Sequence, residues 1–312
     1  MRMADRVDRT QRESKPAGVA VATFKKFSED RSTNLASMIA FWGIFSIFPL
    51  FMVLVTVLAW VLPASDKHSV LGQVAKMLPL LDPSTISGLT GSVLALVLGL
   101  VTALWSGLGV VRTVQFAFDS VWEIPYHERP GLVQQTLRSV WVLGTIGIGL
   151  VLTTLISGFV VTSANGVHLG VLGRVGGYVL AAALDVGIFL AAFRILTTRA
   201  TSTRDVLPGA LLSGVAFFIL QQVSALIISH YLQKAQSTYG HFATVITILW
   251  WFYLQANVTL LGAQLNVVLS ERLYPRSLVN APQTPADHRV LEAYVSERAY
   301  HPQQRVTTHM EK

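Results

Sequence analysis

The stretch WWFYLQANVTLLGAQLNVVL, residues 250–269, decides the fold of the chain, because it is both apolar and long. It carries no charged residue, and about 20 apolar residues in a helix span a hydrocarbon core of about 30 Å. It nevertheless contains five polar side chains, at Gln255, Asn257, Thr259, Gln264 and Asn266. An amide without a hydrogen-bond partner is costly in hydrocarbon, so these side chains should face other helices.

Five further apolar blocks extend this interpretation to the rest of the chain. Hydrophobic residues make up 52% of the sequence and charged residues 13%, with a mean hydropathy of +0.52. Backbone polar groups must be paired inside lipid, so apolar blocks of this length predict helices. The expected fold class is an all-α polytopic membrane protein with six transmembrane helices, at 35–62, 88–111, 137–161, 175–196, 206–229 and 242–269.

The distribution of Lys and Arg predicts the orientation of these helices. Twenty of these residues fall on one predicted side of the membrane and four on the other. Cytoplasmic segments carry the excess of positive charge, so both termini are expected in the cytoplasm. The domains are then a cytoplasmic N-terminal segment at 1–33, a membrane domain at 34–271 and a mobile cytoplasmic C-terminal tail at 272–312.

Short amphipathic helices are expected outside the membrane domain. Residues 69–81 place their apolar side chains on one helical stripe, which fits either a helix on the outer membrane face or a packed loop. The N-terminal segment around VAVATFKKF is expected to lie on the cytoplasmic surface. One short helix, at 287–298, is predicted within the C-terminal tail.

The sequence offers no signature of a soluble enzyme. It has no cysteine, and none of its eight histidines pairs with another at metal-ligand spacing on one helix. We therefore predict no catalytic residue, no metal and no cofactor. The net charge of +7 is explained by topology and by anionic lipid, so no nucleic-acid partner is predicted, and membrane lipids are the expected partners.

Asp185 is the charged residue that lies deepest in any predicted span. A carboxylate inside a membrane is costly and faces a bundle interior or a wet cavity. Two interpretations stay open: a group that couples transport to protons or binds a cation, and a protonated acid with a purely structural hydrogen bond. Gln255 and Asn257 of the sixth helix reach a similar depth.

Helix geometry gives the remaining candidates. At about 100° per residue, Gln255, Gly262 and Asn266 share one face of the sixth helix, whereas Asn257 and Gln264 lie on the opposite face. Pro49 interrupts the first helix, as a hinge or as fixed geometry. The candidates for a substrate path are Asp185, Gln255, Asn257, Pro49 and Asn266.

Small residues at the spacing of close helix contacts predict packing faces. They are Gly99, Ala103 and Gly107 in the second helix, Ala183, Gly187 and Ala191 in the fourth, and Gly262 in the sixth. The sixth helix, polar on two faces, is expected at the centre of the bundle or against a second subunit. A homo-oligomer is therefore an open expectation.

Three stretches resemble the YihY/BrkB family of bacterial inner-membrane proteins, whose older label is the ribonuclease BN family. They are FSEDRSTNLASMIAFWGIFSIFPLF, WSGLGVVRTVQFAFDSVWEIP and YGHFATVITILWWFYLQANVTLLGAQLNVVL, in that order along the chain. The resemblance covers residues 20–272. One position departs from it, since the family often has Glu where this chain has Gln264.

The resemblance implies a six-helix inner-membrane protein associated with envelope integrity and virulence. It favours a transporter or flippase-like exporter of a lipid or envelope precursor. The alternative is a scaffold that does not transport but recruits partners through its tails. An RNA-processing enzyme is a remote third hypothesis, because metal-dependent hydrolysis needs clustered carboxylates or histidines.

Overall fold

The computed structural model describes residues 8, 10–61, 93–142, 144, 171–240, 242–278 and 283–304. Helices account for nearly all regular structure in these ranges, and no strand occurs within them. We label the helices α1 (Lys15–Glu29), α2 (Ser32–Val61), α3 (Val93–Val121), α4 (132–142), α5 (Val171–Leu196), α6 (Thr203–Tyr239), α7 (Phe242–Ser270) and α8 (Pro285–Glu297).

Four helices in the described part of the chain are long and apolar enough to cross a membrane. Their spans are Leu96–Val121, Val175–Leu196, Thr203–Ser224 and Phe242–Ser270. They agree with the second, fourth, fifth and sixth predicted helices. The apolar helix at Ser32–Ile47 overlaps the first predicted span. Most of the predicted third span, and the amphipathic stretch at 69–81, lie outside the described residues.

Three of the described helices end in left-handed residues that are not glycine. Glu123 (φ 47°) follows α3, Arg272 (φ 52°) follows α7, and Arg31 (φ 50°) follows α1. At the first of these ends, the Ile124 N–H donates to the Asp119 carbonyl, and the Glu123 N–H donates to the Ser120 carbonyl. This is the paired hydrogen-bonding pattern of a Schellman cap, which satisfies the last carbonyls of a helix.

The described residues divide into two compact units. Unit one draws on 1–36, 114–222 and 255–312, and unit two on 37–113 and 223–254. Inside unit two, α2 packs on α3 through the indole of Trp42. The Trp42 ring stacks edge-to-face on Trp105 at 5.7 Å and covers Gly109, where a Cβ atom would overlap carbons of the Trp42 ring. Pro49 lies inside α2, as the sequence predicts.

Part of the C-terminal segment, for which composition predicts a mobile tail, forms a helix. Residues 283–304 include α8, which begins at Pro285, within two residues of the predicted start. Thr284 and Asp287 form a reciprocal capping box at its N-terminus. The apolar side chains of Ala286 and Val290 are buried. Local capping and burial together order a segment that looks polar in sequence.

Candidate functional site

The helix crossing of α6 and α7 in unit one is built on small residues. A Cβ atom on Gly262 would overlap Ser213 Oγ and lie 2.7 Å from the Gly209 carbonyl oxygen. The Gly209 N–H donates to Asn266 Oδ1 at 2.6 Å, and Ser213 Oγ donates to the Val258 carbonyl at 3.1 Å. Asn266 therefore bridges two helices at a point where only glycine fits.

Gln264 lies on the other side of α7 and is fully buried. Its amide nitrogen donates to Asp30 Oδ2 at 2.7 Å and to Ser32 Oγ at 3.0 Å. Gln264 is 0% exposed and Asn266 1% exposed, so the structure buries both polar faces of this part of α7. The Oε1 atom of Gln264 has no hydrogen-bond partner among the described residues.

The partner of Gln264 belongs to a buried charged cluster, which we call the lysine cluster: Lys26, Asp30, Glu123, Gln264 and Tyr294. Lys26 is 0% exposed; its ammonium contacts Asp30 Oδ2 at 2.7 Å and also donates to Glu123 Oε1. The Tyr294 hydroxyl of α8 donates to Asp30 Oδ1 at 2.5 Å. The cluster therefore joins α1, the end of α3, α7 and α8.

Burial and charge set the protonation of the lysine cluster. Burial alone would lower the pKa of Lys26, but the carboxylates of Glu123 and Asp30 raise it above its usual value. Burial raises the pKa of Glu123 to about 7, against the opposing effect of Lys26. Burial and the neighbouring Asp30 charge also raise the pKa of the Tyr294 hydroxyl. Lys26 stays charged, and Glu123 titrates near neutrality.

A half-open cavity of about 260 Å³ gives Glu123 access to the surface. Its walls include Trp122, Glu128, Thr198 and Arg199. The neighbouring Asp119 carboxylate accepts hydrogen bonds from the Thr198 N–H at 2.9 Å and from its hydroxyl at 2.8 Å. These bonds tie the connection between α5 and α6 to the end of α3.

A second set of ion pairs fastens the C-terminal segment to α1. Arg276 is 3% exposed and donates to Asp287 Oδ1 at 2.6 Å and to Glu29 Oε2 at 2.9 Å. Lys25 contacts Asp287 Oδ1 at 3.3 Å. Burial alone would raise the pKa of Asp287, but hydrogen bonds from Arg276 and Thr284 hold it well below its usual range.

Asp185 is 4% exposed in α5 and pairs with a residue of α6. Gln221 Nε2 donates to Asp185 Oδ2 at 3.4 Å, near the long end of hydrogen-bond geometry. The two helices also approach each other closely beside this contact. A Cβ atom on Gly214 of α6 would lie 2.6 Å from the Cα atom of Val186 in α5. The α5–α6 pair thus encloses a weakly bonded acid within an apolar span.

The other path candidates have separate surroundings. Gln255 is half-buried, and its Oε1 atom has no hydrogen-bond partner in the described part of the chain. Asn257 is also half-buried. Asp185 and Asn266 have partners outside the candidate set, namely Gln221 and Gly209. Pro49 belongs to unit two.

The predicted packing stripes have different outcomes. Gly99 lies against α2, where its Cβ atom would be 3.2 Å from Val53 Cγ2, and Gly262 makes the crossing described above. Ala103, Gly107 and Ala191 are half-buried. Ala183 is exposed, and a Cβ atom on Gly187 would meet no described atom within 4 Å. In the described residues, α5 instead packs tightly through Val186 on Gly214.

The sequence alone predicts neither the lysine cluster nor the partner of Asp185. Lys26 and Glu123 are 97 residues apart, and Gln264 and Asp30 are 234 apart. No local pattern joins them. Gln221 could have been found, because Gln221 and Gln222 are amides inside the fifth predicted span, which follows the span of Asp185 directly.

These features define the class of protein: an α-helical, multi-pass membrane protein with a buried ion-pair cluster at one end of its helices. The chain belongs to the family described as Virulence factor BrkB, whose match covers residues 23–287. This confirms the resemblance seen in the sequence.

Individual relatives are distant. The ribonuclease-like protein YfkH of Bacillus subtilis is 25% identical over 270 residues, which are 80% of this chain and 94% of that protein. A UPF0761 membrane protein of Pseudoalteromonas translucida is 26% identical over 211 residues, 66% of each chain. Another from Nitrosospira multiformis is 27% identical over 172 residues, 53% of this chain and 38% of that protein. No solved structure matches the chain significantly.

Proposed function

We propose that this chain is a six-span protein of the bacterial inner membrane that moves a lipid or amphipathic envelope precursor across the bilayer. The observation that carries the proposal is Asp185, a buried acid paired only loosely with Gln221 inside a span. Asp185 lies eleven residues from the end of α5, about 17 Å along the axis, which corresponds to the middle of a bilayer. Intramembrane acids at this depth are typical of transport pathways.

Contacts between the two ends of the chain support the even number of spans. Tyr294 of α8 binds Asp30 beside α1, and Arg276 binds Glu29. Segments that touch in this way lie on one side of the membrane, so the chain between them crosses an even number of times. The excess of Lys and Arg in both segments favours the cytoplasmic side.

The transport proposal is tested in proteoliposomes that contain fluorescently labelled phosphatidylglycerol in both leaflets. A membrane-impermeant reductant quenches the outer label at once and the inner label only as it is moved outward. We expect the protein to accelerate inner-label quenching over empty vesicles. Asp185→Asn should slow it at least tenfold, because the amide cannot carry the charge or the proton.

Asp205→Asn is the matched control, since the contact of Asp205 with Ser202 is exposed at the start of α6 and tolerates an amide. It should keep the rate within about twofold. Equal rates with and without protein would refute lipid movement of this kind, and an unchanged Asp185→Asn rate would remove Asp185 from the mechanism.

The scaffold alternative needs a different test from removal of the whole tail. Deleting residues 275–312 would strip Lys25, Glu29 and Arg129 of their ion-pair partners Asp287, Arg276 and Glu297, and would damage either kind of protein. Deleting residues 305–312 leaves all these pairs in place. A scaffold that recruits partners through its extreme C-terminus loses function with this deletion, whereas a transporter keeps its rate.

A further inference from the structure

An apolar groove of about 500 Å³ runs between α1, α6 and α7 in unit one. Its walls include Val19 and Phe24 of α1, Leu212 of α6, and Leu261 and Leu265 of α7. Phe24 is 63% exposed and Leu212 38% exposed, so the groove leaves a large apolar area uncovered. Its volume falls within the range of ligand sites, about 300–1,000 Å³.

The groove lies at the depth of one membrane leaflet. Leu265 and Leu261 precede the end of α7 at Ser270 by five and nine residues, about 8 and 14 Å along the axis. Leu212 follows the start of α6 by nine residues, about 14 Å, on the same side. Half of a hydrocarbon core is about 15 Å thick, which matches the depth range of acyl chains in one leaflet.

A cation without a carboxylate partner stands at the rim of this groove. Lys15 lines the groove at the start of α1, and its ammonium lies 5.9 Å from the centroid of the Tyr274 ring. No carboxylate lies within ion-pair distance of Lys15 among the described residues, whereas Arg12, Lys25 and Lys26 of the same segment each have one. A long side chain of this kind places its charge at the headgroup level while its stem covers apolar surface.

We propose that this groove binds one anionic glycerophospholipid, with an acyl chain along Val19, Leu212 and Leu265 and the headgroup phosphate on Lys15. The amphipathic α1 then lies in the membrane interface and is joined to α6 and α7 through the bound chain. Lys15 selects an anionic headgroup over a zwitterionic one. The site has a cation for the phosphate but no carboxylate for the positive charge of a zwitterionic headgroup. The proposal does not depend on transport, since it concerns a resident lipid.

The experiment measures lipid binding by the purified full-length protein in a mild maltoside detergent. Dioleoyl phosphatidylglycerol and dioleoyl phosphatidylcholine, which share their chains, are titrated separately, and native mass spectrometry counts the lipids retained per chain. We expect one tightly bound phosphatidylglycerol, with phosphatidylcholine at least fivefold weaker. Lys15→Ser should reduce phosphatidylglycerol affinity about fivefold, the effect of one lysine near anionic lipid.

Ala20→Trp fills the groove, because Ala20 lines it and is solvent-exposed, and should abolish the bound lipid. The matched controls are Val133→Trp, at an exposed position outside the groove, and Arg204→Ser, which removes a different exposed charge. Both controls should bind like the unchanged protein. Thermal unfolding of each variant without lipid checks that it is folded.

Three results would overturn the proposal. Equal retention of the two lipids would show that Lys15 does not select the headgroup. Competition by inorganic phosphate alone at similar concentration would show that the acyl chain does not contribute to binding. A protein that is dimeric in detergent and becomes monomeric with Ala20→Trp would show that a second copy, not a lipid, covers the groove. Loss of transport in proteoliposomes with intact lipid binding, or the reverse, separates this site from the proposed function.

Discussion

At the scale of single residues, Gln264 carries the clearest consequence. Its amide donates to Asp30 inside the lysine cluster, at a position where the family that the sequence resembles often has Glu. A carboxyl group at this position faces Asp30 instead of donating to it. Two charged carboxylates at this distance repel each other, so the pKa of one of them is strongly raised.

Gln264→Glu should therefore destabilise the protein in a pH-dependent way. The pKa of the new carboxyl is raised in the folded state. The loss in the free energy of unfolding is therefore complete above this pKa, and it disappears below the pKa of the unfolded state, about 4.3. We expect a loss of about 1–3 kcal/mol at pH 8 that shrinks towards pH 5, measured by unfolding in detergent. Gln303→Glu, at an exposed position, is the control. A loss independent of pH would contradict this account of the Gln264–Asp30 contact.

Glu123 makes the unchanged protein itself pH-sensitive. Burial raises its pKa from 4.5 to about 7, so the folded state binds more protons than the unfolded state between these values. Stability therefore falls as pH rises from about 4.5 to 7, by at most about 3 kcal/mol. Glu297, whose pKa burial also raises, acts with the same sign.

Glu123→Gln should flatten this part of the profile, because the amide does not titrate and still accepts a hydrogen bond from Lys26. The unfolding midpoint is followed from pH 5 to 8 in detergent. Glu128→Gln changes a nearby carboxylate whose side chain is 60% exposed, and it should leave the slope unchanged. A Glu123→Gln slope equal to that of the unchanged protein would show that Glu123 does not titrate in this window.

At the scale of helices, the α6–α7 crossing depends on two glycines. A Cβ atom on Gly209 would overlap the Gly262 carbonyl, and one on Gly262 would overlap Ser213 Oγ. Gly209→Ala and Gly262→Ala should each destabilise the protein by about 1–3 kcal/mol, the usual cost of overpacking. Gly187→Ala is the control, because no described atom lies within 4 Å, and a helical alanine gains up to about 1 kcal/mol over glycine. Equal unfolding midpoints for the three variants would contradict this packing.

The docking of α8 rests on the charge of Asp287. Asp287→Asn keeps an acceptor for the capping box but leaves the buried Arg276 with Glu29 alone. Loss of one partner from a buried pair costs about 3–5 kcal/mol. We expect faster proteolysis and hydrogen exchange within 283–304, whereas Glu292→Gln, at an exposed position of α8, should change neither. Unchanged protection of α8 in Asp287→Asn would show that apolar burial alone holds it.

Features of the fold that depend on neighbouring residues can be predicted from the sequence, whereas contacts between distant residues cannot. The last apolar stretch of the chain predicts both ends of α7 to within one residue, because hydropathy is a strong and local signal. Periodicity groups Ala183 with Gly187 but does not say which face of α5 meets a neighbour. The ion pairs of Lys26 and Arg276 join segments 97 to 247 residues apart, and hydropathy assigns these segments only to the surface.

At the scale of the whole molecule, hydrogen bonds and ion pairs join the N-terminal and C-terminal segments of the chain. Tyr294 and Asp287 near the C-terminus bind Asp30 and Lys25 near the N-terminus. Lys25 and Lys26 of α1 are thereby paired with carboxylates and are not available to anionic lipid. Lys15 is the described exception in that helix.

The same contacts yield a topological prediction that the absence of cysteine makes simple to test. Ser28 in α1 and Ser296 in α8 are both exposed, so single Ser→Cys variants at these positions should react with a membrane-impermeant maleimide on the same side of the membrane. The positive-inside distribution predicts that this side is the cytoplasm. Both variants should therefore resist labelling in intact spheroplasts and react fully in inverted vesicles. Ser65→Cys, between the first and second predicted spans, should show the reverse. Labelling of Ser28→Cys and Ser296→Cys from opposite sides would be incompatible with the Tyr294–Asp30 bond, whereas labelling of both from outside would keep that bond and invert the orientation.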